Sequence, residues 1–451
     1  MTKKRFIMII RKSTNSIVIL VLSLIFIILG LSNDLFLVIG IIIASCYIFI
    51  SGEDGIYGLF FILPFSPIMK FSPGGNTFFN ILVAVYILRM IFLNEKSKLS
   101  FYQILSILAF IIFSLFNTGG SNLIKLVDLI IYFVLAYLVM NSKQNINVRK
   151  LLMFFVAGIL IASVLGTFSD WVPGLSGFMR ATRIKLDDGD IVGRFSGIQT
   201  NPNFYTMDIT IAIAALLYFI GSKKHRWFDY LLVIVLLGFG VLSLSLSFML
   251  SMAFVFLLYL IYKIFRLTRL SFDINVVLRG TLVIVLTIIV ISQISNLPYM
   301  DIYFQRLGAG GFVDQSLSDL TTGRSDIWSD YLKLYLSDWR IFIFGVGYSV
   351  EAYNLRQAHN YFLELLVHLG IVGTMIYLNV LNSIFKPFSV KIKGRMLCLL
   401  PLAALIFRGF GINLFFRDNF IFYLIICTLI MADYDSPKDL RRPGNGAINE
   451  K

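Results

Sequence analysis

Long apolar runs recur along this chain from residue 16 to residue 432, and short polar stretches separate most of them. A helix of about 20 apolar residues crosses the roughly 30 Å hydrocarbon core of a membrane. The pattern therefore predicts an all-α, polytopic integral membrane protein with about fourteen transmembrane helices, some of them short and with approximate ends. The predicted segments are residues 16–31, 35–50, 55–71, 78–93, 101–117, 123–140, 151–168, 204–220, 229–244, 246–266, 276–294, 360–385, 396–412 and 418–432.

These segments form one predicted transmembrane domain, residues 1–432, because the polar stretches between them are too short to build cores of their own. Pro64 and Pro67 fall inside the third segment and predict a kinked or re-entrant helix there. The basic N-terminus is interpreted as the start of an uncleaved first helix, since no small-residue cleavage site follows it. The polar residues 433–451 predict a disordered cytoplasmic tail.

The basic residues predict the orientation of the chain. Lys and Arg recur in every second polar stretch, apart from the short one at 51–55, as expected if these stretches face the cytoplasm. Both termini are then cytoplasmic, and the protein lies in the cytoplasmic (inner) membrane. The same rule accounts for the formal net charge of +14, so nucleic acid is not a predicted partner.

Two long loops then lie on the extracytoplasmic side, at about residues 169–203 and 295–359. Loops on a rigid scaffold often carry the chemistry of a protein. Their basic residues are seven arginines and two lysines, and the planar guanidinium group suits the binding of phosphate. The alternative is that these arginines pair with loop aspartates on a solvated surface. The arginines are Arg180, Arg183, Arg194, Arg306, Arg324, Arg340 and Arg356.

Within the second loop, apolar residues at helical spacing predict a helix over 325–338 that lies on the outer membrane surface. Thr322 or Ser325 is its predicted cap. Arg324 then sits at the helix N-terminus, where the helix dipole disfavours a cation. An anion site would use this arginine, whereas the alternative is a salt bridge to a nearby aspartate.

The segment that follows begins with His359 and Asn360. Asn360, Glu364 and His368 lie four residues apart, so they share one face of the predicted helix. His359, at the outer end, is a candidate general base because its ordinary pKa lies near neutrality. Glu364 is the rival base, and the alternative for His359 is an interface residue that water satisfies.

No nucleotide-binding or zinc motif is present in the sequence. The cluster Asp187-Asp188-Gly189-Asp190 is interpreted as a solvated turn, and Asn203 either contributes to a site or caps a helix. We therefore predict no metal and no cofactor. A group-transfer reaction outside the membrane would need an activated donor that arrives in the lipid, such as a lipid pyrophosphate.

Several blocks of sequence resemble the O-antigen polymerase and O-antigen ligase superfamily, over roughly residues 190–380. Each motif is short, and their order along the chain carries the resemblance. They are Gly193-Arg194-Phe195-Ser196-Gly197 with Asn201-Pro202-Asn203, Ser243 to Ser247, Gly323-Arg324-Ser325-Asp326-Ile327-Trp328, Phe344-Gly345-Val346-Gly347, and His359-Asn360 with Leu369-Gly370-Ile371-Val372-Gly373.

The resemblance implies a metal-independent membrane glycosyltransferase whose donor is an oligosaccharide on undecaprenyl pyrophosphate. Arg194 and Arg324 would bind the pyrophosphate and stabilise it as it leaves. His359 would orient or deprotonate the acceptor. No first-loop arginine has the spacing of ten residues to a glycine that is described for some polymerases, which leaves two of the predicted roles open. The remaining predicted substrate-binding residues are Arg180, Arg183, Asn203, Arg356, Asn360 and Glu364.

A polymerase and a ligase differ in the acceptor, which is another lipid-linked repeat unit or a lipopolysaccharide core. The richness in Ile, Phe, Lys and Asn indicates an AT-rich genome and favours a polymerase of capsule or O-antigen. The predicted partners are the lipid-linked oligosaccharide, membrane lipid and a chain-length regulator protein. The alternatives are an O-antigen ligase, a lipid-linked oligosaccharide flippase and a non-catalytic scaffold. A flippase would carry charges deep in many spans and an inverted repeat.

Overall fold

A computed structural model of the chain is almost entirely helical. Its only described strands form a two-stranded hairpin. The structure describes residues 17–72, 75–93, 99–118, 123–142, 146–179, 183–185, 191–222, 225–268, 324–348, 353, 355–385, 396–415 and 418–434.

The helices follow one another with short connections. The first eight are α1 (Ile17–Leu29), α2 (Asp34–Ile50), α3 (Gly55–Ile62), α4 (Phe79–Leu93), α5 (Phe101–Thr118), α6 (Leu123–Asn141), α7 (Val148–Thr167) and the short α8 (Leu175–Phe178). The hairpin strands β1 (Arg183–Lys185) and β2 (Ile191–Gly193) come next. The later helices are α9 (Pro202–Gly221), α10 (Trp227–Leu242), α11 (Leu246–Thr268), α12 (Arg324–Ser337), α13 (Trp339–Phe344), α14 (Tyr361–Phe385), α15 (Leu400–Gly409) and α16 (Asp418–Tyr434).

The helices have the length and surface of a membrane protein. Five of those described, α6, α7, α9, α11 and α14, are long and apolar enough to cross a membrane, judged by length and composition. Eight more apolar helices have 10–17 residues. Large apolar side chains are exposed on many of them, such as Phe116 at 87% and Ile50 at 77%. Such a surface suits lipid and not water.

The predicted segments correspond well to the observed helices. Every predicted segment within the described residues coincides with a helix, and the one at 276–294 lies outside them. The kink predicted from Pro64 and Pro67 is confirmed, because α3 ends at Ile62 and continues as a 3-10 helix over Leu63–Ile68. The count of fourteen membrane crossings stays a prediction.

Helix α9 lies at the centre of the bundle. All of its residues are buried, and it packs against α7, α10, α11, α15 and α16. The helix begins with Asn201 as its cap, whose side chain accepts a hydrogen bond from the backbone N–H of Asn203. Asn203, Thr206 and Asp208 place polar groups in its first two turns, inside an otherwise apolar interior. Polar groups buried in this way need partners, and the partners build the site described below.

Hydrogen bonds sort the ends of the helices into two sets. At one end, Asn117 bonds the carbonyl of His368. At the other, Arg149 pairs with Asp229, and Lys150 with Asp54. These two sets match the outer and inner sides that the charge pattern predicts. We call the end that contains His368 the site end.

Helix α14 is broken at Gly370, and the motif at residues 344–347 satisfies the break. Gly370 has a left-handed backbone, with φ of 62°, so the carbonyls of the preceding turn lose their helical partners. The N–H groups of Val346 and Gly347 donate to the Val367 and His368 carbonyls at 2.9 and 3.0 Å. Non-helical backbone at membrane depth is tolerated where the protein itself satisfies it in this way.

Replacing Gly370 with Ala should destabilise the protein by roughly 2–4 kcal/mol, because the new Cβ would meet the Ile343 carbonyl and the Gly345 nitrogen in a strained backbone conformation. Thermal unfolding of the purified protein in detergent measures the change. Gly238→Ala in α10 is the matched control, since a Cβ there has open space. Equal melting temperatures for the two variants would show that the break is not tightly packed.

Candidate functional site

Arg408 lies near the end of α15 and is buried, with 1% of its surface exposed. Its guanidinium donates to the Asn203 carbonyl at 2.5 Å, to the Thr206 hydroxyl at 2.9 Å and to the Ser247 hydroxyl at 2.8 Å. All three acceptors are neutral. In the described part of the chain, no carboxylate forms an ion pair with Arg408, and its Nε is buried without a hydrogen-bond partner.

Arg324 is the first residue of α12, as the sequence predicted within one residue. Its Nη1 donates to the Gly411 carbonyl at 3.2 Å, two residues beyond α15. The predicted alternative pairing with Asp330 does not occur, since Asp330 pairs with Lys333 at 3.4 Å. Ser325 lies within the helix and is not its cap. Arg324 therefore reaches the end of the helix that carries Arg408.

The position of α12 is fixed by its contact with the protein. Tyr331 and Tyr335 are buried against Ala358 and the first turns of α14. The indole N–H of Trp328 donates to the Ala358 carbonyl at 2.8 Å. The apolar face predicted to lie on the membrane thus packs largely on the protein, and it holds Arg324 at the site end.

Arg194 follows directly after the hairpin. Its Nε donates to the Ser243 carbonyl at 3.1 Å, and its Nη2 lies 3.5 Å from Asn203 Oδ1. The same Asn203 oxygen accepts a hydrogen bond from the Ser245 hydroxyl at 2.7 Å. The alternative reading of Asn203 as a helix cap is wrong, because Asn201 caps α9 and frees the Asn203 side chain for this network.

Arg194, Arg324 and Arg408 therefore form what we call the arginine cluster, joined through Asn203, Ser245, Ser247 and Gly411. The Arg324 charge acts on Arg408 and opposes it. Burial already disfavours a charged guanidinium, so the repulsion adds to its cost. An anion bound between the arginines would offset both terms, and a planar guanidinium can bond phosphate oxygens through two N–H groups.

The predicted stripe on α14 holds backbone in place. Asn360 accepts from the N–H groups of Phe362 and Leu363 and caps the helix. Glu364 accepts from the Ala358 N–H at 2.8 Å, and the His368 ring bonds the Gly347 carbonyl at 2.6 Å. These contacts fix the segment that carries the rest of the site.

His359 lies at the start of this segment in a left-handed backbone conformation, with φ of 50°, and is half-buried. The residues after it reach α15, since Phe362 stacks on Phe410 at 4.6 Å between ring centroids. A non-glycine residue in this conformation is uncommon and is often found at functional sites. The structure thus places His359 within a few residues of contacts made by the end of α15.

The remaining predicted site residues are not part of the cluster. Arg183 lies on β1, opposite Gly193 on β2. Arg356 is exposed in the segment before α14. Arg180 lies outside the described residues, as do Asp187-Asp188-Gly189-Asp190, and their predicted roles stay predictions.

Sequence reasoning missed Arg408 and Asp208 because both fall inside segments interpreted as apolar spans. The signal was available, since an ionisable residue inside a predicted membrane helix is costly and usually functional. Attention to the long loops found Arg194 and Arg324 but not the helix residue that joins them.

The chain matches no protein-family model, and no curated protein shows significant similarity to it.

Proposed function

We propose that this protein is a membrane glycosyltransferase that joins oligosaccharide units carried on a lipid pyrophosphate. The arginine cluster is the observation that carries the proposal. Three guanidinium groups from separate elements meet at one end of a membrane-type helical bundle, and Arg408 is buried among neutral acceptors. A lipid diphosphate offers the negative charge that such a cluster needs and is delivered within the bilayer.

The cluster would act on the leaving group. An acceptor hydroxyl attacks the anomeric carbon of the donor sugar, the bond from that carbon to the pyrophosphate oxygen breaks, and negative charge develops on the departing pyrophosphate. Guanidinium groups held in place by Asn203, Ser247 and Gly411 stabilise this charge without rearranging. The acceptor proton passes to a base near the site.

Of the two candidate bases, the contacts favour His359. Glu364 is buried and holds the Ala358 N–H, so it serves the backbone of the loop. His359 is half-buried and lies at the start of α14, beside residues that contact the end of α15. An imidazole there can take a proton near neutral pH.

The resemblance to O-antigen polymerases and ligases supports the same function. The blocks that carry it contact one another: Arg194 bonds Ser243 and Asn203, and Gly347 bonds His368 beside Gly370. Within this family a polymerase is favoured by the composition of the chain, with surface polysaccharide as the product.

We further propose fourteen membrane crossings in the cytoplasmic membrane, with the site end outside and both termini in the cytoplasm. The contacts that pair Arg149 with Asp229 and Lys150 with Asp54 then lie inside. Their basic residues agree with the charge rule for cytoplasmic segments.

Cysteine labelling tests this orientation. In a variant with the three native cysteines replaced by serine, a membrane-impermeant maleimide should label Arg356→Cys in intact cells and His225→Cys only after permeabilisation. Both positions are exposed, so accessibility within the protein is matched. The reverse labelling pattern would place the arginine cluster in the cytoplasm and contradict the proposed donor.

Loss of Arg324 should abolish polymer formation in cells that lack the native gene. Arg324→Ala removes one of the charges that stabilise the leaving pyrophosphate, and one such interaction contributes about 100-fold or more in rate. Polysaccharide ladders on gels should disappear, with single lipid-linked units accumulating on the outer face. Arg340→Ala, on an exposed stretch of the same region, is the control at matched membrane levels.

The other outcomes separate the alternatives. Single units trapped on the inner face would indicate a flippase. Long chains that stay on lipid without reaching a core acceptor would indicate a ligase. An unchanged ladder would remove Arg324 from the mechanism.

A further inference from the structure

A second site lies on the other side of α9 from the arginine cluster. It is a cleft that encloses about 540 Å³ of space, with its open mouth included. That volume is within the usual range for small-ligand sites, roughly 300–1,000 Å³. Phe204 and Leu414 contribute apolar walls, and Lys70 contributes a cation. The uncharged polar side chains that line it are Ser66, Thr77, Gln199, Thr200, Asn419 and Tyr423.

A buried carboxylate organises one wall of this cleft. Asp208 accepts hydrogen bonds from the Tyr423 hydroxyl at 2.5 Å, from Asn419 at 3.2 Å and from Gln199 at 3.2 Å. All three donors line the cleft. In the part of the chain that the structure describes, no cation forms an ion pair with Asp208. Its structural effect is to fix three polar side chains in orientation, with their remaining hydrogen-bonding capacity directed elsewhere.

The cleft and the arginine cluster share two pieces of backbone. On α9, Phe204 and Met207 line the cleft, whereas Asn203 and Thr206 contact Arg408. A helix with its side chains is about 10–12 Å across, so the two sites lie about one sugar ring or two apart. The segment after α15 also joins them, because Gly411 bonds Arg324 and Leu414 lines the cleft.

We propose that this cleft binds the sugar of the acceptor, with Asp208 as a positioning residue. Fixed amide and hydroxyl groups beside an apolar wall match a pyranose, which presents hydroxyls at its edge and C–H groups on its face. The class of ligand, a carbohydrate, follows from the lining. Its role as acceptor rests on the proposed function, because a hydroxyl must approach the carbon whose pyrophosphate the arginine cluster holds.

The test uses the full-length protein purified in detergent and two separate probes. One probe is inorganic pyrophosphate, and the other is a set of oligosaccharides hydrolysed from the surface polysaccharide of the host, together with neutral disaccharides. Each should raise the melting temperature of the wild-type protein by about 2–4 °C near saturation. The combined variant Tyr423→Phe and Asn419→Leu should lose the sugar shift and keep the pyrophosphate shift, and Arg408→Gln should do the reverse.

Two further variants guard against misfolding. Thr200→Val changes a half-buried cleft residue outside the Asp208 network and should weaken the sugar shift alone. Thr428→Val, on α16 but bonded only to the Leu424 carbonyl among the described residues, should keep both shifts. Asp208→Asn should weaken sugar binding by about tenfold, since an amide cannot accept all three hydrogen bonds.

The possible results separate the two proposals. A wild-type protein that shows no sugar shift, or cleft variants that keep it, overturns the acceptor site and leaves the proposed function standing. A sugar shift confined to proteins with an intact cleft, without any pyrophosphate shift in the wild type, overturns the proposed function and leaves the cleft as a carbohydrate site.

Discussion

The burial of Arg408 is the constraint on which the site depends. Its charge lies inside the bundle among neutral oxygens, and a second guanidinium, that of Arg324, opposes it. A buried charge without a compensating partner costs several kcal/mol, so the surrounding packing must support it. Helix α9 provides this support, since it is buried throughout and offers its first turn as acceptors. Such a cost is retained where an anion completes the site.

Local backbone features hold the other parts of the site against this centre. The break at Gly370 gives the Val346 and Gly347 N–H groups their partners, and it ties the loop before α14 to the helix. Trp328 then anchors α12 on Ala358, so that Arg324 reaches Gly411. Each motif is thus explained by a contact with another motif, and this mutual dependence accounts for their order along the chain.

The sequence predicted the helices well and the site only in part. Apolar runs mark helices because burial and lipid exposure both need them, and the surface helix at α12 was predicted within one residue at each end. Asn203, Arg194 and Arg324 were identified as candidates, but their meeting point was not, because it depends on how α9, α11 and α15 pack. Arg408 and Asp208 were missed since hydropathy averages hide a single charge in an apolar segment.

The central claim is that this protein forms glycosidic bonds and releases a lipid pyrophosphate. The most direct measurement supplies the purified protein in liposomes with lipid-linked repeat units as the sole substrate, and counts glycan length and free undecaprenyl pyrophosphate. The account predicts one released lipid pyrophosphate for each new bond, and growth that stops in Arg408→Gln. Movement of intact units across the bilayer, without bond formation or release, would contradict it.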